Sequence, residues 1–284
     1  MRTTQHSEKP VLVLGGTGKT GRRVADRLRL RGVPVRIGSR NSATPFDWDS
    51  PSTWDAALDG VGAAYVSYYP DLAVPGAPEA VQALAAAALD RGVRRLVLLS
   101  GRGEIEAQRA EQIVFDSGAD ATVVRCAWFM QNFSEAFMRD AVLSGEIVLP
   151  GGDALEPWVD ADDIADVAVA ALTEPGHVGR LYELTSPRLY TMTEIATELS
   201  RAVGRTIRYT PVSADDYADA AAQQGVPEEL VGFLTYLFSE VFGQNAHTAD
   251  GVQRALGRPA RDFSTFAGAA AAAGAWNMSV PAPA

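Results

Sequence analysis

The stretch VLVLGGTGKTGRRVADRL, residues 11–28, joins an apolar run, a glycine-rich turn and a helical pattern. Its glycines Gly15, Gly18 and Gly21 fall at three-residue intervals. After a strand, this spacing is typical of a dinucleotide-binding turn. The first glycine permits the tight turn, the second leaves room for a pyrophosphate, and the third lets the helix pack closely. The N–H groups that open the helix, with the positive end of its dipole, then face the phosphates.

The same turn contains Gly18, Lys19 and Thr20, which resemble the end of a triphosphate-binding loop. That loop needs a glycine five positions before its Gly-Lys-Thr. Val13 occupies this position, inside the apolar run, so the triphosphate interpretation fails on geometry. Lys19 either reaches a phosphate or lies in solvent. The predicted cofactor contacts in the turn are Gly15, Gly16, Thr17, Gly18, Lys19, Thr20 and Gly21.

The composition is that of an ordinary globular protein, with 284 residues, 47% hydrophobic and 21% charged. The net charge of −10 argues against a nucleic-acid partner. The polar start MRTTQHSEKP lacks a signal core, and no apolar run reaches the length of a membrane span. A single cysteine, Cys126, suits the cytosol. We therefore expect a cytoplasmic protein without a membrane partner. The three histidines have no partner at metal-ligand spacing, so we expect no metal site.

Strand and helix patterns alternate through the first 150 residues, which predicts a doubly wound parallel sheet of the Rossmann type. After about residue 128 the pattern loosens into mostly helical segments. We expect an α/β fold with a cofactor-binding domain over residues 1–150. Residues 151–284 are expected to form a smaller substrate lobe that shares the sheet and does not fold independently.

The carboxyl end of the second strand indicates which dinucleotide binds. An NAD site usually has a carboxylate there for the ribose 2′-hydroxyl. This sequence has Ser39 and Arg40 instead. A guanidinium can pair with a 2′-phosphate through charge-assisted hydrogen bonds. The sequence therefore predicts NADP(H) in preference to NAD(H).

Several stretches together resemble the NmrA-like branch of the atypical short-chain dehydrogenases/reductases. They are GGTGKTGRRVADRL, GSR, FDWDSPSTWDAAL, GVRRLVLLSG, VVRCAWFMQNFSEAF, DADDIADVAVAAL and ALGRPARDFSTFA, from about residue 10 to residue 267. Within that branch the chain is most similar to the ergot-alkaloid reductases, the festuclavine synthase and agroclavine dehydrogenase group. The resemblance implies that Arg40 binds the 2′-phosphate. It also implies further cofactor contacts from Ser39, Asp47, Trp48, Ser67, Tyr68, Tyr69, Ser100 and Cys126.

One departure from the superfamily concerns the acid that protonates a developing alkoxide. Typical members use Tyr-x-x-x-Lys on the helix after the fifth strand. If Glu111 is aligned with the Glu that commonly follows this motif, Gly103 and Ala107 take the Tyr and Lys positions. Neither can titrate, so an ordinary ketone reduction by a tyrosine acid is disfavoured.

Two functions fit this departure. The first is a reductase for an electrophile that needs no protein acid, such as an iminium ion, or for an enone or quinone with water as proton source. The second is a redox sensor that binds the dinucleotide without turnover. For a reductase, the candidate substrate contacts are Tyr69, Trp128, Phe129 and Phe133, with Tyr68 offering a further aromatic face to a cationic or aromatic substrate. Core packing is the alternative for these aromatics.

Two polar features have structural alternatives. Ser100 ends the fifth strand and is the one tentative catalytic residue, which either hydrogen-bonds the substrate or bonds to the backbone. Asp160, Asp162 and Asp163 open a helix, so capping and dipole stabilisation explain them better than an acidic site does. The sequence is compatible with a monomer or a homodimer.

Overall fold

The computed structural model describes residues 9–277, which divide into two compact units. The sheet unit comprises residues 9–126, 161–184 and 250–259. The second unit comprises residues 127–160, 185–249 and 260–277. The division predicted from the sequence, with one boundary at residue 150, is coarser than this one.

The strands of the described chain are numbered in sequence order. They are β1 (Val11–Leu14), β2 (Val35–Ser39), β3 (Thr44–Pro45), β4 (Ala63–Val66), β5 (Arg95–Gly101), β6 (Asp120–Cys126), β7 (Glu146–Leu149), β8 (Arg180–Leu184) and β9 (Arg208–Pro211). Seven of them form one sheet in the order β3-β2-β1-β4-β5-β6-β8, and every pairing in it is parallel. The strand order reverses between β1 and β4, the switch point at which such sheets bind their ligands.

The helices of the same residues follow the strands in the predicted alternation. They are α1 (Lys19–Leu30), α2 (Trp54–Leu58), α3 (Ala77–Asp90), α4 (Ile105–Asp116), α5 (Asn132–Glu135), α6 (Arg139–Ser144), α7 (Ala161–Thr173), α8 (Met192–Val203), α9 (Ala214–Gln223), α10 (Glu228–Tyr236), α11 (Gly251–Leu256) and α12 (Phe263–Ala272). The central strands β1 and β4 are buried along their whole length, as their unbroken apolar runs require. The Rossmann-type α/β fold predicted from the sequence is confirmed.

Ion pairs join α1 to α7 in the sheet unit. Arg27 reaches Asp162 at 2.6 Å and Asp166 at 2.6 Å, and Arg23 lies 3.2 Å from Asp162. On the same helix, Asp163 is fully buried and pairs with Arg258 at 2.8 Å. The sequence interpretation of Asp162 and Asp163 as capping and dipole residues therefore missed their main partners, since the arginines come from distant parts of the chain.

The second unit has its own apolar core and a small parallel sheet of β7 and β9. Its helix α8 begins with the predicted capping box. The Thr191 hydroxyl accepts from the Glu194 N–H at 3.2 Å, and the Glu194 carboxylate accepts from the Thr191 N–H at 2.8 Å. This prediction is confirmed because the signal is local. The sequence interpretation omitted β9, whose strand signal is only four residues long.

Candidate functional site

The glycine turn after β1 has the close backbone approach that the spacing predicts. Gly15 has a φ of 64°, in the left-handed region that glycine adopts without strain. A Cβ atom on Gly15 would lie 3.4 Å from the Ser67 side chain. A Cβ atom on Gly21 would overlap the backbone of Gly15 and lie 2.9 Å from the Gly16 Cα. Gly21 is therefore required for α1 to start this close to the strand.

The start of α1 suits an anion. Gly18 is the N-cap residue and has no side chain to cap the helix, and the first turn contains no acidic residue. A Cβ atom at Gly18 would have only the Gly15 carbonyl oxygen, at 3.3 Å, as a close neighbour. The space beside Gly18 is thus open where a pyrophosphate would lie. Thr20 is buried, whereas Thr17 is exposed. These residues fit a dinucleotide.

The neighbouring strand ends supply a cation and an aromatic ring. Arg40 follows β2, and its guanidinium carbon lies 5.4 Å from the centre of the Tyr69 ring. Tyr69 lies beyond β4 and is 66% exposed. Because β2 and β4 flank β1 in the sheet, these two residues border the strand that carries the glycine turn. The structure therefore brings together a predicted 2′-phosphate ligand and a predicted cofactor contact.

A second group of predicted cofactor residues assembles around Trp48. Its indole N–H donates to the Ser67 carbonyl at 3.3 Å, and its ring centre lies 4.7 Å from that of Tyr68. Burial, followed by the negative charge of Asp49, raises the pKa of Tyr68. The Asp47 carbonyl accepts from the indole of Trp54 at 2.8 Å, which fixes the segment before α2. Ser39 is held locally, since its N–H donates to the Ser42 hydroxyl at 3.2 Å.

The ends of β5 and β6 hold a buried polar network. The Ser100 hydroxyl donates to Glu111 Oε1 at 2.6 Å, and the Glu111 carboxylate also pairs with Arg125. Ser100 thus bonds to a side chain, and the backbone bond considered from the sequence is not the one formed. Cys126 is buried, and burial raises the pKa of its thiol, as expected for an inert cysteine.

Carboxyl groups lie near the end of β5. Ala107 is fully buried against the sheet, and Gly103 has no side chain. Between them, Glu104 is a buried residue that sequence reasoning passed over as an ordinary helix start. Asp71, which follows β4, was also missed, and burial raises the pKa of its carboxyl. The sequence signal that could have indicated both residues is a carboxylate within a few residues of the end of β4 and of β5.

Of the four predicted substrate contacts, Tyr69 lies in the sheet unit, and the other three lie in the second unit. The Trp128 ring is half-buried and stacks on Phe238 with centres 5.3 Å apart. Phe129 is half-buried and forms a backbone bridge with Val159. Phe133 has no exposed surface and packs against Trp158 with centres 5.0 Å apart. Core packing, the alternative weighed from the sequence, is thus the structural role of Phe133.

Residues 9–277 contain no grouping of three or more His, Cys, Asp or Glu side chains arranged to hold a metal ion. None of their helices has the length and hydropathy needed to cross a membrane.

Comparison with known proteins identifies the family. The model of the NmrA-like family matches residues 46–267, well over half of the chain. The chain belongs to the NmrA-like family. The family resemblance seen in the sequence is thereby confirmed.

Individual NmrA-like relatives cover nearly the whole chain. An NAD(P)H azoreductase of Xenophilus azovorans is 33% identical, over 93% of this chain and 98% of its own. Festuclavine synthase I of Penicillium roqueforti is 28% identical, over 90% of this chain and 96% of its own. The ergot-alkaloid group is therefore among the relatives, at a lower identity than the azoreductase. Among solved structures, the Escherichia coli quinone oxidoreductase QOR2 complexed with NADPH superposes with a TM-score of 0.76. It is 23% identical, over 90% of this chain and 98% of its own, and shows the shared fold.

Proposed function

We propose that this NmrA-like protein is an NADPH-dependent reductase of small electrophiles with an activated C=N bond, a conjugated C=C bond or a quinone ring. The observation that carries the proposal is the glycine turn, in which Gly21 excludes any side chain while Gly18 leaves the helix start open. When bound, the reduced nicotinamide supplies hydride. The relatives named as a reductase, a synthase and a dehydrogenase support turnover rather than binding alone.

The preference for NADPH rests on Arg40. No acidic residue lies between Val35 and Ala43, so no carboxylate there repels a 2′-phosphate. The contact of Arg40 with the Tyr69 ring holds the guanidinium beside the strand that carries the glycine turn. A charge-assisted pair with the 2′-phosphate would then add to NADPH binding alone.

The residues that follow β4 and β5 support the proposed class of substrate. Gly103 and Ala107 cannot protonate an alkoxide, which disfavours ketone reduction by the usual tyrosine acid. Exposed Tyr69 and half-buried Tyr68 offer aromatic faces to a flat or cationic acceptor. The printed activities of the azoreductase and the quinone oxidoreductase, although they belong to those proteins, concern acceptors of this flat kind.

The test combines binding and turnover. Calorimetry measures the affinities for NADPH and NADH, and absorbance follows NADPH oxidation with a cyclic iminium, an enone, a quinone and an azo dye. We expect tighter binding of NADPH and turnover of at least one acceptor. Tight binding of both redox forms without turnover of any acceptor would overturn the reductase and favour a dinucleotide sensor. No heat of association with either dinucleotide would overturn both.

A further inference from the structure

Glu104 has an unusual position for a carboxyl group. It is the N-cap residue of α4, but its side chain makes no capping hydrogen bond. The side chain instead folds back over Gly101, the last residue of β5, where a Cβ atom would overlap the Glu104 carboxyl. Glu104 is only 9% exposed, and within residues 9–277 its Oε2 atom has no hydrogen-bond partner. Such a group normally finds a partner, so its orphaned oxygen requires an explanation.

The groups around Glu104 determine its charge. Burial raises its pKa to about 8, and the negative charges of Asp71 and Glu111 contribute. Glu111 is itself paired with Arg125. The thiol of Cys126 also lies close enough for its pKa to be raised by Glu104. With its pKa raised, Glu104 holds its proton to a higher pH than an exposed glutamate does. A carboxyl group kept protonated in this way is typical of general-acid sites.

Arg102 is the cation nearest to Glu104 in sequence. Arg102 forms an ion pair with Glu183 of β8 at 2.9 Å. The Asp71 carboxylate accepts from the Ala73 N–H at 3.0 Å. The Arg102 guanidinium is therefore paired with the Glu183 carboxylate.

We propose that Glu104 donates the proton that completes the reduction of neutral acceptors. The inference rests on the proposed reductase function. It places a protein acid at the end of β5, where the Tyr-Lys pair is missing and where water was the proton source expected from the sequence.

The reduction of a neutral acceptor requires one hydride and one proton. Hydride from the reduced nicotinamide adds to a quinone, enone or azo group, and the displaced electron pair becomes an oxyanion, enolate or nitrogen anion. The Glu104 O–H bond breaks, and its proton bonds to that anionic atom. The Glu104 carboxylate then takes a proton from water. A cationic iminium needs no such step, because hydride addition discharges its positive charge.

The difference between neutral acceptors and a cationic iminium provides the test. Glu104→Gln keeps the shape of the side chain and removes the acid. We expect its kcat with a quinone or azo dye to fall about 100-fold, within the range of general-acid effects. With a cationic iminium it should change less than 3-fold. The wild-type kcat for the neutral acceptor should decline above about pH 8, whereas that of Glu104→Gln should not. Gly101→Ala, which displaces the carboxyl, should show the same selective loss.

A matched control is Glu106→Gln, in the first turn of the same helix, where Glu106 pairs with exposed Arg109 at 3.3 Å. It should behave as wild type with both acceptors. Infrared spectroscopy gives a readout apart from turnover. A protonated carboxyl band at neutral pH, absent in Glu104→Gln, is expected.

Three results would overturn the inference. The first is a Glu104→Gln variant that retains its kcat with the neutral acceptor, and the second is an equal loss with both acceptors. The third is a missing carboxyl band. If the wild type turns over no acceptor of either kind, the proposed function fails and the inference fails with it. The first three results leave the proposed function intact.

Discussion

The Arg40 guanidinium lies over the Tyr69 ring, 5.4 Å from its centre, and so joins the loops that follow β2 and β4. Between these strands lies β1, with the glycine turn at its carboxyl end. The pair therefore borders the switch point of the sheet, the place where parallel sheets of this kind bind their ligands.

The first prediction concerns the choice of dinucleotide. Arg40→Ala should weaken NADPH about 10–100-fold, since a hydrogen bond between charged groups contributes about 1.5–3 kcal/mol. NADH, which lacks the 2′-phosphate, should lose less than about 3-fold. Titration calorimetry with both dinucleotides measures this. Equal losses for the two would show that Arg40 is only a surface charge.

The second prediction separates binding from folding within the glycine turn. Gly21→Ala should lower the free energy of unfolding by about 1–3 kcal/mol, because the new Cβ atom overlaps the Gly15 backbone. Gly18→Ala should change it by less than about 1 kcal/mol, because the N-cap φ of −79° suits alanine. Its methyl group should nevertheless weaken NADPH at least about 10-fold. Urea denaturation and calorimetry measure the two effects. Wild-type affinity in Gly18→Ala would contradict a pyrophosphate at this turn.

The third prediction concerns the buried carboxylate of α7. Arg258→Ala should lower the free energy of unfolding by about 2–4 kcal/mol, because Asp163 is fully buried and loses its 2.8 Å partner. Arg31→Ala is the matched control, since its pair with Glu174 at 2.9 Å is solvent-exposed. That variant should lose less than about 1 kcal/mol. Similar losses in both variants would contradict the role of burial.

The fourth prediction concerns the dependence of stability on pH. The pKa of Glu104 is about 8 in the folded protein, whereas an unfolded glutamate titrates near about 4.3. Between these values the folded state binds more protons than the unfolded state, so the free energy of unfolding falls as the pH rises. The loss attributable to Glu104 should reach roughly 3–5 kcal/mol by about pH 9.

Denaturation of wild type and Glu104→Gln at several pH values measures this effect. The glutamine variant should lose most of the slope between about pH 5 and pH 8, whereas Glu106→Gln should retain it. Parallel curves for wild type and Glu104→Gln would show that Glu104 is ionised in the folded protein at neutral pH.

The features that could be predicted from the sequence are local in the chain. The strand, turn and helix at residues 11–28 specify the sheet and the start of α1, because glycine spacing and apolar runs act over a few residues. The capping box of α8 is equally local. The position of Arg40 at a strand end followed from the parallel topology, whereas Trp48 was indicated by the family resemblance.

The features that could not be predicted depend on partners distant in sequence. Asp163 reads as a helix-start carboxylate until Arg258, 95 residues later (258 − 163), is placed beside it. The sequence leaves Ser100 with a substrate or a backbone partner, and only the fold shows that α4 brings Glu111 within 2.6 Å. Glu104 was passed over as an ordinary helix start because only the fold shows that its side chain lies over Gly101. Burial of a charged group has no local signature.

Strand β8 joins the seven-stranded sheet late in the sequence, and this has a practical consequence for truncated fragments. A fragment ending at residue 150 would contain the glycine turn and six of the seven strands of the main sheet but would lack β8, which pairs with β6 over five residues. Strand β6 would become an unprotected edge, and the arginines on α1 would lose their carboxylate partners on α7. Open strand edges recruit other chains. Such a fragment should therefore aggregate on expression, so studies of dinucleotide binding need the whole polypeptide.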